Sequence, residues 1–455
     1  MNIRHTSRHQ WFTPSRFSRR GLLIAGGTTA AAVAVGATST SFAAAQTAQT
    51  AARVPSLEVT RQARTGADVV IAWNQALLEI VRTAGLQPPT IHPTRSFALL
   101  HAAIHNAVVA TTGKGTPYLF AVHTASGASP VAAAAQAGHD ILAALYPAAA
   151  VDLGHRLADE LRALGHAPGR EAGITAGRLT ARLLLDLRAD DGSAAVPPPL
   201  PPGTEPGQYR PTPPANSPAV FTHWSAVRPF LIKRADRFRP EAYPDLGSRR
   251  YAAAINEVQR LGQDTSGSRS EDQTEQANFW AAPIWNYWNE ITQTAISAEG
   301  NDLVRAARVF AHLNLALADA VIAFYDAKYH FRIWRPITAI RLADQDGNPA
   351  TTANPGWNPL ATTPADPSYP GAHSVVSQTA ATMLSQEFDP RLRLAVTSDA
   401  LPGVTRRFRS LQAIADEAGL SRLYAGVHTR LDHYAGQELG HRLARSVLTQ
   451  PGLRP

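Results

Sequence analysis

Three groups of residues in the last third of the chain have types and spacings suited to chemistry on an anion. The first is Lys328-Tyr329-His330-Phe331-Arg332-Ile333-Trp334-Arg335-Pro336, at the end of an apolar helical stretch. A lysine at a core-facing position is costly unless something anionic meets it. The second, Pro367-Ser368-Tyr369-Pro370-Gly371-Ala372-His373-Ser374, stands directly before an apolar run from Val375 to Phe388. Small residues opening a helix leave backbone N–H groups, here around Gly371 and Ala372, aimed at a spot that binds oxyanions. His373 at that mouth could donate a proton to what the anion holds. The third is Ser421-Arg422-Leu423-Tyr424-Ala425-Gly426-Val427-His428-Thr429-Arg430-Leu431-Asp432. A spacing of four predicts His428 and Asp432 on one helix face. The carboxylate would fix one imidazole nitrogen as N–H and leave the other free to attack or ligate. Gly426 lets the chain bend, so that Arg422 could face the same pocket.

Each group alone has an ordinary reading: a snorkelling lysine at a helix end, a Pro-Gly turn with a surface histidine, a structural arginine beside a surface His–Asp pair. Together they supply three cations (Lys328, Arg335, Arg422), N–H donors at Gly371 and Ala372, and two histidines. That set suits a tetrahedral or trigonal-bipyramidal oxyanion. A divalent metal on His373, His428, Asp432 and His433 is the rival use of the same residues, and three cations would repel it.

The elements that must position these groups read as helices. Val70, Trp73, Leu77 and Val81 recur at helical spacing, as do Phe97, Leu100, Ile104 and Val108. Further helical patterns cover 131–146, 151–164, 170–188, 249–263, 272–297, 301–328, 374–388 and 428–448, with a shorter one near 406–418. Strand-like alternation is nearly absent. Between Pro197 and Pro218, ten of 22 residues are proline, which predicts an extended connection, either a domain linker or a long surface loop. The expected organisation is a leader over 1–45 and an all-α domain over 46–455. In that domain a helical half to about 195, a proline-rich connection over 196–218 and a site-bearing half over 219–455 follow one another. His101 and His105 at i, i+4 could ligate a metal, but packed histidines satisfied by neighbours are the expectation. Phe279, Trp280, Trp285 and Trp288 fall on helical spacing and are expected in the core.

The net charge of +8 is misleading. Residues 1–45 hold five arginines and no acid, and without them 38 basic residues face 35 acidic ones. The balance therefore gives no argument for nucleic acid or an acidic membrane surface. Cysteine is absent, which excludes disulfides and thiolate chemistry. Met383 is the single methionine after residue 45, which suits a protein bathed in oxidant and equally an Ala- and Arg-rich genome. Ser18-Arg19-Arg20-Gly21-Leu22-Leu23, an apolar run to Gly36 and Ala43-Ala44-Ala45 read as a cleaved twin-arginine signal. Export, with a mature N-terminus near Gln46, is expected. No later stretch reads as long and apolar enough to cross a bilayer.

Lys-x6-Arg-Pro, a Pro-x-x-His turn and Ser-Arg-x5-His-x3-Asp, in this order, resemble the three-part signature of the type 2 phosphatidic acid phosphatase and vanadium haloperoxidase superfamily. The stretch from Glu275 to Trp280, the 301–336 helix with its Trp-Arg-Pro end and the helix from Arg95 to Val108 resemble its exported bacterial haloperoxidase-like branch. The resemblance implies a compact all-α bundle with the site at its core. It implies vanadate as cofactor, with phosphate competing, and hydrogen peroxide and halide as reactants. By it Lys328, Arg335 and Arg422 hold the oxyanion, His428 is the vanadium ligand, His373 the acid/base residue and Asp432 the carboxylate orienting His428. An exported phosphomonoesterase acting through a phosphohistidine on His428 is the alternative, and a non-catalytic oxyanion-binding protein a third. Two departures stand out. Gly371-Ala372 replaces the family's Ser-Gly, which removes a hydroxyl donor that Ser368 or Ser374 could replace. Asp366 stands where relatives carry an aromatic residue or histidine near the halide, and an anion beside a halide would repel it.

Overall fold

The computed structural model describes residues 66–300 and 302–450. The segment expected to be a twin-arginine leader, with its cleavage motif, lies outside them. Five helices come first: α1 (Asp68–Arg82), α2 (Pro93–Thr112), α3 (Pro130–Leu145), α4 (Ala150–Ala163) and α5 (Arg170–Leu187). A long connection leads to α6 (Arg249–Leu261), α7 (Glu271–Phe279), α8 (Ile284–Glu299), α9 (Leu303–Phe331), α10 (Pro336–Arg341) and α11 (Ala372–Leu384). An antiparallel hairpin of β1 (Leu394–Thr397) and β2 (Thr405–Phe408) follows, then α12 (Leu411–Tyr424) and α13 (Arg430–Leu448). The fold is all-α apart from this hairpin.

Three expected helices differ, each for a local reason. The pattern at 272–297 is two helices, because Pro283, which has no N–H to donate, opens α8 and separates it from α7. The helix expected near 406–418 begins at Leu411, since 405–408 pairs with 394–397 and the Ser410 side chain caps the Ala413 amide. The last helix begins at Arg430 rather than 428, because Thr429 and Asp432 form a capping box there.

The centre of the bundle is α9, 29 residues long and buried on nearly every side. A helix apolar all round belongs inside a core or a membrane. By length and hydropathy α9 does meet the requirement for a span, contrary to the sequence expectation. Packing decides its place: 94% of its most apolar window is buried within the fold. α2, α8, α11 and α13 all pack against it. One core joins Phe97 and Ile141 before the long connection to Phe310, Val375 and Leu439 after it.

The connection is pinned by backbone bonds. Asp319 of α9 accepts the amides of Phe230, Leu231 and Ile232 at 2.6, 2.7 and 2.8 Å. Burial pushes its pKa up to about 6 in spite of those donors. The Tyr209 amide reaches the Arg332 carbonyl at 2.7 Å, Trp334 reaches Gly207 at 2.9 Å, and Val220 reaches Ala365 at 2.9 Å. The proline-rich stretch therefore lies across the end of α9 and the segment before α11.

α11 and α13 approach closely enough that a Cβ on Gly436 would sit 2.7 Å from the Gly371 carbonyl oxygen. One on Gly440 would sit 2.5 Å from that of Val375. Glycine at these two positions brings the N-termini of both helices together.

His101 bonds Asn74 Oδ1 at 2.8 Å and stacks on Phe310, and His105 bonds the Thr116 carbonyl at 2.9 Å. Both are packed histidines. Burial pushes the pKa of His92, His101 and His312 down to about 3. The unfolded chain, with imidazoles near 6.5, therefore binds more protons than the folded one between about pH 6.5 and 3. Stability contributed by these groups is present above 6.5 and lost as pH falls. Each should contribute a loss of about 2 kcal/mol between pH 7 and pH 5. Urea unfolding should show a markedly lower midpoint at pH 5, and equal midpoints would mean that these rings are already charged in the fold.

Candidate active site

Lys328 lies in the last turn of α9 and is completely buried. Its Nζ donates to the carbonyls of Pro367 and Ser368, the latter at 3.2 Å, and stands 3.6 Å from Asp366 Oδ2. Burial lowers its pKa to about 8, against the pull of Asp366. The ammonium is therefore charged at neutral pH. Arg332, in the left-handed region, ends α9 and turns the chain toward Arg335, which precedes Pro336 at the start of α10.

Arg335 is 1% exposed. Its Nε donates to the Asp366 carbonyl at 2.7 Å, and its Nη2 donates to Asp366 Oδ1. Nη1 donates to the Val427 carbonyl at 2.8 Å and meets His428 Nε2 at 3.1 Å. Burial would raise the pKa of Asp366, but Lys328 and Arg335 outweigh it and hold the carboxyl below its usual range. The sequence places Asp366 as an anion beside a halide. In the structure its carboxylate is the shared partner of two of the three cations.

A guanidinium has donors alone, so the contact with Arg335 assigns the lone pair of His428 to Nε2 and the proton to Nδ1. Nδ1 points at Asp432 Oδ2, 3.3 Å away. Burial, with Arg335, pushes the His428 pKa down to about 3, which keeps the ring neutral. Asp432 Oδ2 also accepts from the Thr429 amide at 2.7 Å and the Ser368 hydroxyl at 2.8 Å. Burial acts to raise the pKa of this carboxyl, yet His428 and these donors hold it low. His428 and Asp432 meet, though not on one helix face. His428 precedes α13, and Asp432, in its first turn, reaches back to it. Gly426, at φ +78°, makes the bend that returns the Val427 and His428 amides to the Arg422 carbonyl at 3.1 and 3.3 Å.

Arg422 is the buried cation of the site that has no carboxylate bonded to it among the described residues. Among the described residues its guanidinium donates one hydrogen bond, from Nη1 to the Trp280 carbonyl at 3.4 Å. Burial and Arg335 lower its pKa to about 10. The same carbonyl accepts from His373 Nε2 at 3.0 Å. Burial and Arg422 hold the His373 pKa far below the usual imidazole value. Among the amides at the start of α11, that of Gly371 is committed to the Asp432 carbonyl at 2.9 Å. Those of Ala372, His373 and Ser374 belong to the unsatisfied first turn.

Both serines that could replace the missing hydroxyl have partners of their own. Ser368 serves Asp432, and Ser374 bonds His433 Nδ1 at 2.9 Å. With His433 so engaged, the four candidate metal ligands do not converge, and no cation-holding cluster occurs among the described residues.

Sequence reasoning missed the Trp280 carbonyl. It is a loose end at the C-terminus of α7, hidden when 272–297 is read as one helix. It also missed the aromatic group around His92, whose ring lies 4.4 Å from Trp285 and 6.0 Å from Tyr325. No local pattern marks those residues as neighbours. Trp280 and Trp288 are core residues, as expected, and Trp285 is partly buried against the same core.

Residues 308–451 match the VCPO second helical-bundle domain. Vanadium chloroperoxidase of Curvularia inaequalis is 25% identical over 280 residues, 48% of this chain. The match spans 44% of that relative. The crystal structure of the first bacterial vanadium-dependent iodoperoxidase superposes with a TM-score of 0.74 at 24% identity. It covers 86% of this chain and 98% of that one. A holo-type bacterial vanadium-dependent chloroperoxidase superposes with a TM-score of 0.66 at 13% identity, covering 86% of this chain and 98% of that one.

Ser368→Ala removes a hydrogen bond to a buried carboxylate, so it should cost about 1.5–3 kcal/mol in urea unfolding. A cost under about 0.5 kcal/mol would mean that the hydroxyl does not hold Asp432.

Proposed function

We propose that this chain, by its fold and C-terminal bundle a member of the type 2 phosphatidic acid phosphatase and vanadium haloperoxidase superfamily, is a vanadate-dependent haloperoxidase that oxidises halide with hydrogen peroxide. The observation that carries the reading is the state of His428. Its Nδ1 is tied to Asp432, and its unprotonated Nε2 faces Arg335 within a buried cationic site.

The donor set fits vanadate. The Nε2 lone pair of His428 would bond the metal in place of its contact with Arg335 Nη1, and the Asp432 contact keeps the tautomer that presents it. Arg422, with no carboxylate bonded to it, and the first-turn amides of α11 suit the oxygens of an anion. Lys328 and Arg335 add charge that spreads over it. Bound vanadate would supply a Lewis-acidic centre that makes hydrogen peroxide reactive toward halide.

His373 works as a base in this reading. Burial and Arg422 keep the ring neutral at neutral pH, so it accepts a proton from an incoming peroxide. A phosphomonoesterase would need the opposite state, a protonated His373 that gives its proton to the leaving alcohol.

Adding vanadate to the purified chain should switch on halide oxidation by hydrogen peroxide, and phosphate should suppress it. His428→Ala should abolish the activity, and His373→Ala should lower turnover by about 10²–10⁴. If vanadate instead inhibits hydrolysis of an aryl phosphate at low concentration, as a transition-state mimic would, the phosphatase is the right assignment.

A further inference from the structure

Asp366 is held more firmly than an ordinary surface carboxylate. The residue is 6% exposed. Its side chain accepts from Arg335 Nη2 and lies 3.6 Å from Lys328 Nζ, while its carbonyl accepts from Arg335 Nε at 2.7 Å. One guanidinium thus grips both its backbone and its carboxylate. The flanking chain is fixed as well. The Ala365 carbonyl accepts from Val220 at 2.9 Å, and the Ser368 amide donates to Ile333 at 2.9 Å. The carboxylate therefore cannot swing far from the two cations. Arg422, across the site, has no such partner among the described residues.

We propose that Asp366 sets the charge selectivity of the oxyanion site, weakening all oxyanions and weakening doubly charged ones most. The inference rests on the oxyanion reading above. An anion that approaches Lys328 and Arg335 also meets Asp366, and in a buried site that repulsion scales with the product of the charges. A doubly charged anion therefore loses about twice as much binding free energy to Asp366 as a singly charged anion of the same shape. The attraction of Arg422 remains undiminished for both. Asp366 thus narrows the advantage that the cations give a doubly charged oxyanion, such as sulfate or the phosphate dianion, over a singly charged one.

Sulfate and perchlorate are both tetrahedral and keep fixed charges across the neutral range, so they isolate the effect. Calorimetry on the full chain should show Asp366→Asn binding sulfate at least about tenfold more tightly than the unaltered protein. The gain in log K for perchlorate should be about half that for sulfate. Without anions the variant should melt lower than the unaltered chain, because two buried cations lose their partner. Sulfate should then raise its melting temperature more than that of the unaltered chain. If the variant refolds from urea with sulfate present but not without it, that result supports the same conclusion. Unchanged or weaker sulfate binding by a folded variant would overturn the inference and make Asp366 a structural strut. So would a variant that fails to refold even in sulfate. If neither protein binds sulfate, phosphate or vanadate, the oxyanion reading itself falls, and this inference with it.

Discussion

A charged lysine with no solvent exposure is the constraint on which the rest of the site depends. Lys328 stays an ammonium because the Pro367 and Ser368 carbonyls and the Asp366 carboxylate surround it. An unpaired charge in that position would cost several kcal/mol. Asp366 in turn needs Arg335, and Arg335 needs the Val427 carbonyl and the His428 lone pair. The chain of partners runs on through His428 to Asp432, and from there to Ser368 and Thr429. It closes on itself, since the Ser368 carbonyl also receives Lys328. Within this network three cations face two carboxylates and two neutral imidazoles, which leaves a small positive excess centred on Arg422.

That network joins parts of the chain that meet only through packing. α9 contributes Lys328, the segment before α10 Arg335, and the turn before α11 Asp366 and Ser368. The end of α12 supplies Arg422, and the start of α13 supplies Asp432. Gly436 and Gly440 let α13 lie against α11 so closely that the Gly371 amide bonds the Asp432 carbonyl. The proline-rich connection, bonded to Arg332, Trp334 and Ala365, lies over the same elements. Helix packing thus places the charges, and the charges in turn fix the loops that carry them.

Much of the site was legible because its residues recur at fixed offsets within short segments. The helical period located α9 and α11 to within a few residues, while α12 starts and ends later than its pattern, and the Lys-x6-Arg, Pro-x-x-His and Arg-x5-His-x3-Asp spacings mark residues that do converge. Partnerships between segments were not legible. Nothing near Asp366 in the chain shows that Lys328, 38 positions earlier, faces it. His428 and Asp432 read as a helix pair because four is a helical offset, yet a capping box at Thr429 starts the helix after His428. The hidden break at Pro283 concealed the Trp280 carbonyl, which orients both His373 and Arg422. Local periodicity reports elements well, and reports their ends and cross-chain contacts poorly.

In the proposed vanadate complex His428 Nε2 is the single protein atom that bonds the metal, while cations and amides hold its oxygens. X-ray absorption at the vanadium K-edge of the vanadate-loaded chain measures this directly. The inner shell should hold oxygens plus one nitrogen, with the nitrogen lost in His428→Ala while Asp432→Asn retains it. A shell of oxygens alone, or a nitrogen that persists in His428→Ala, would contradict it.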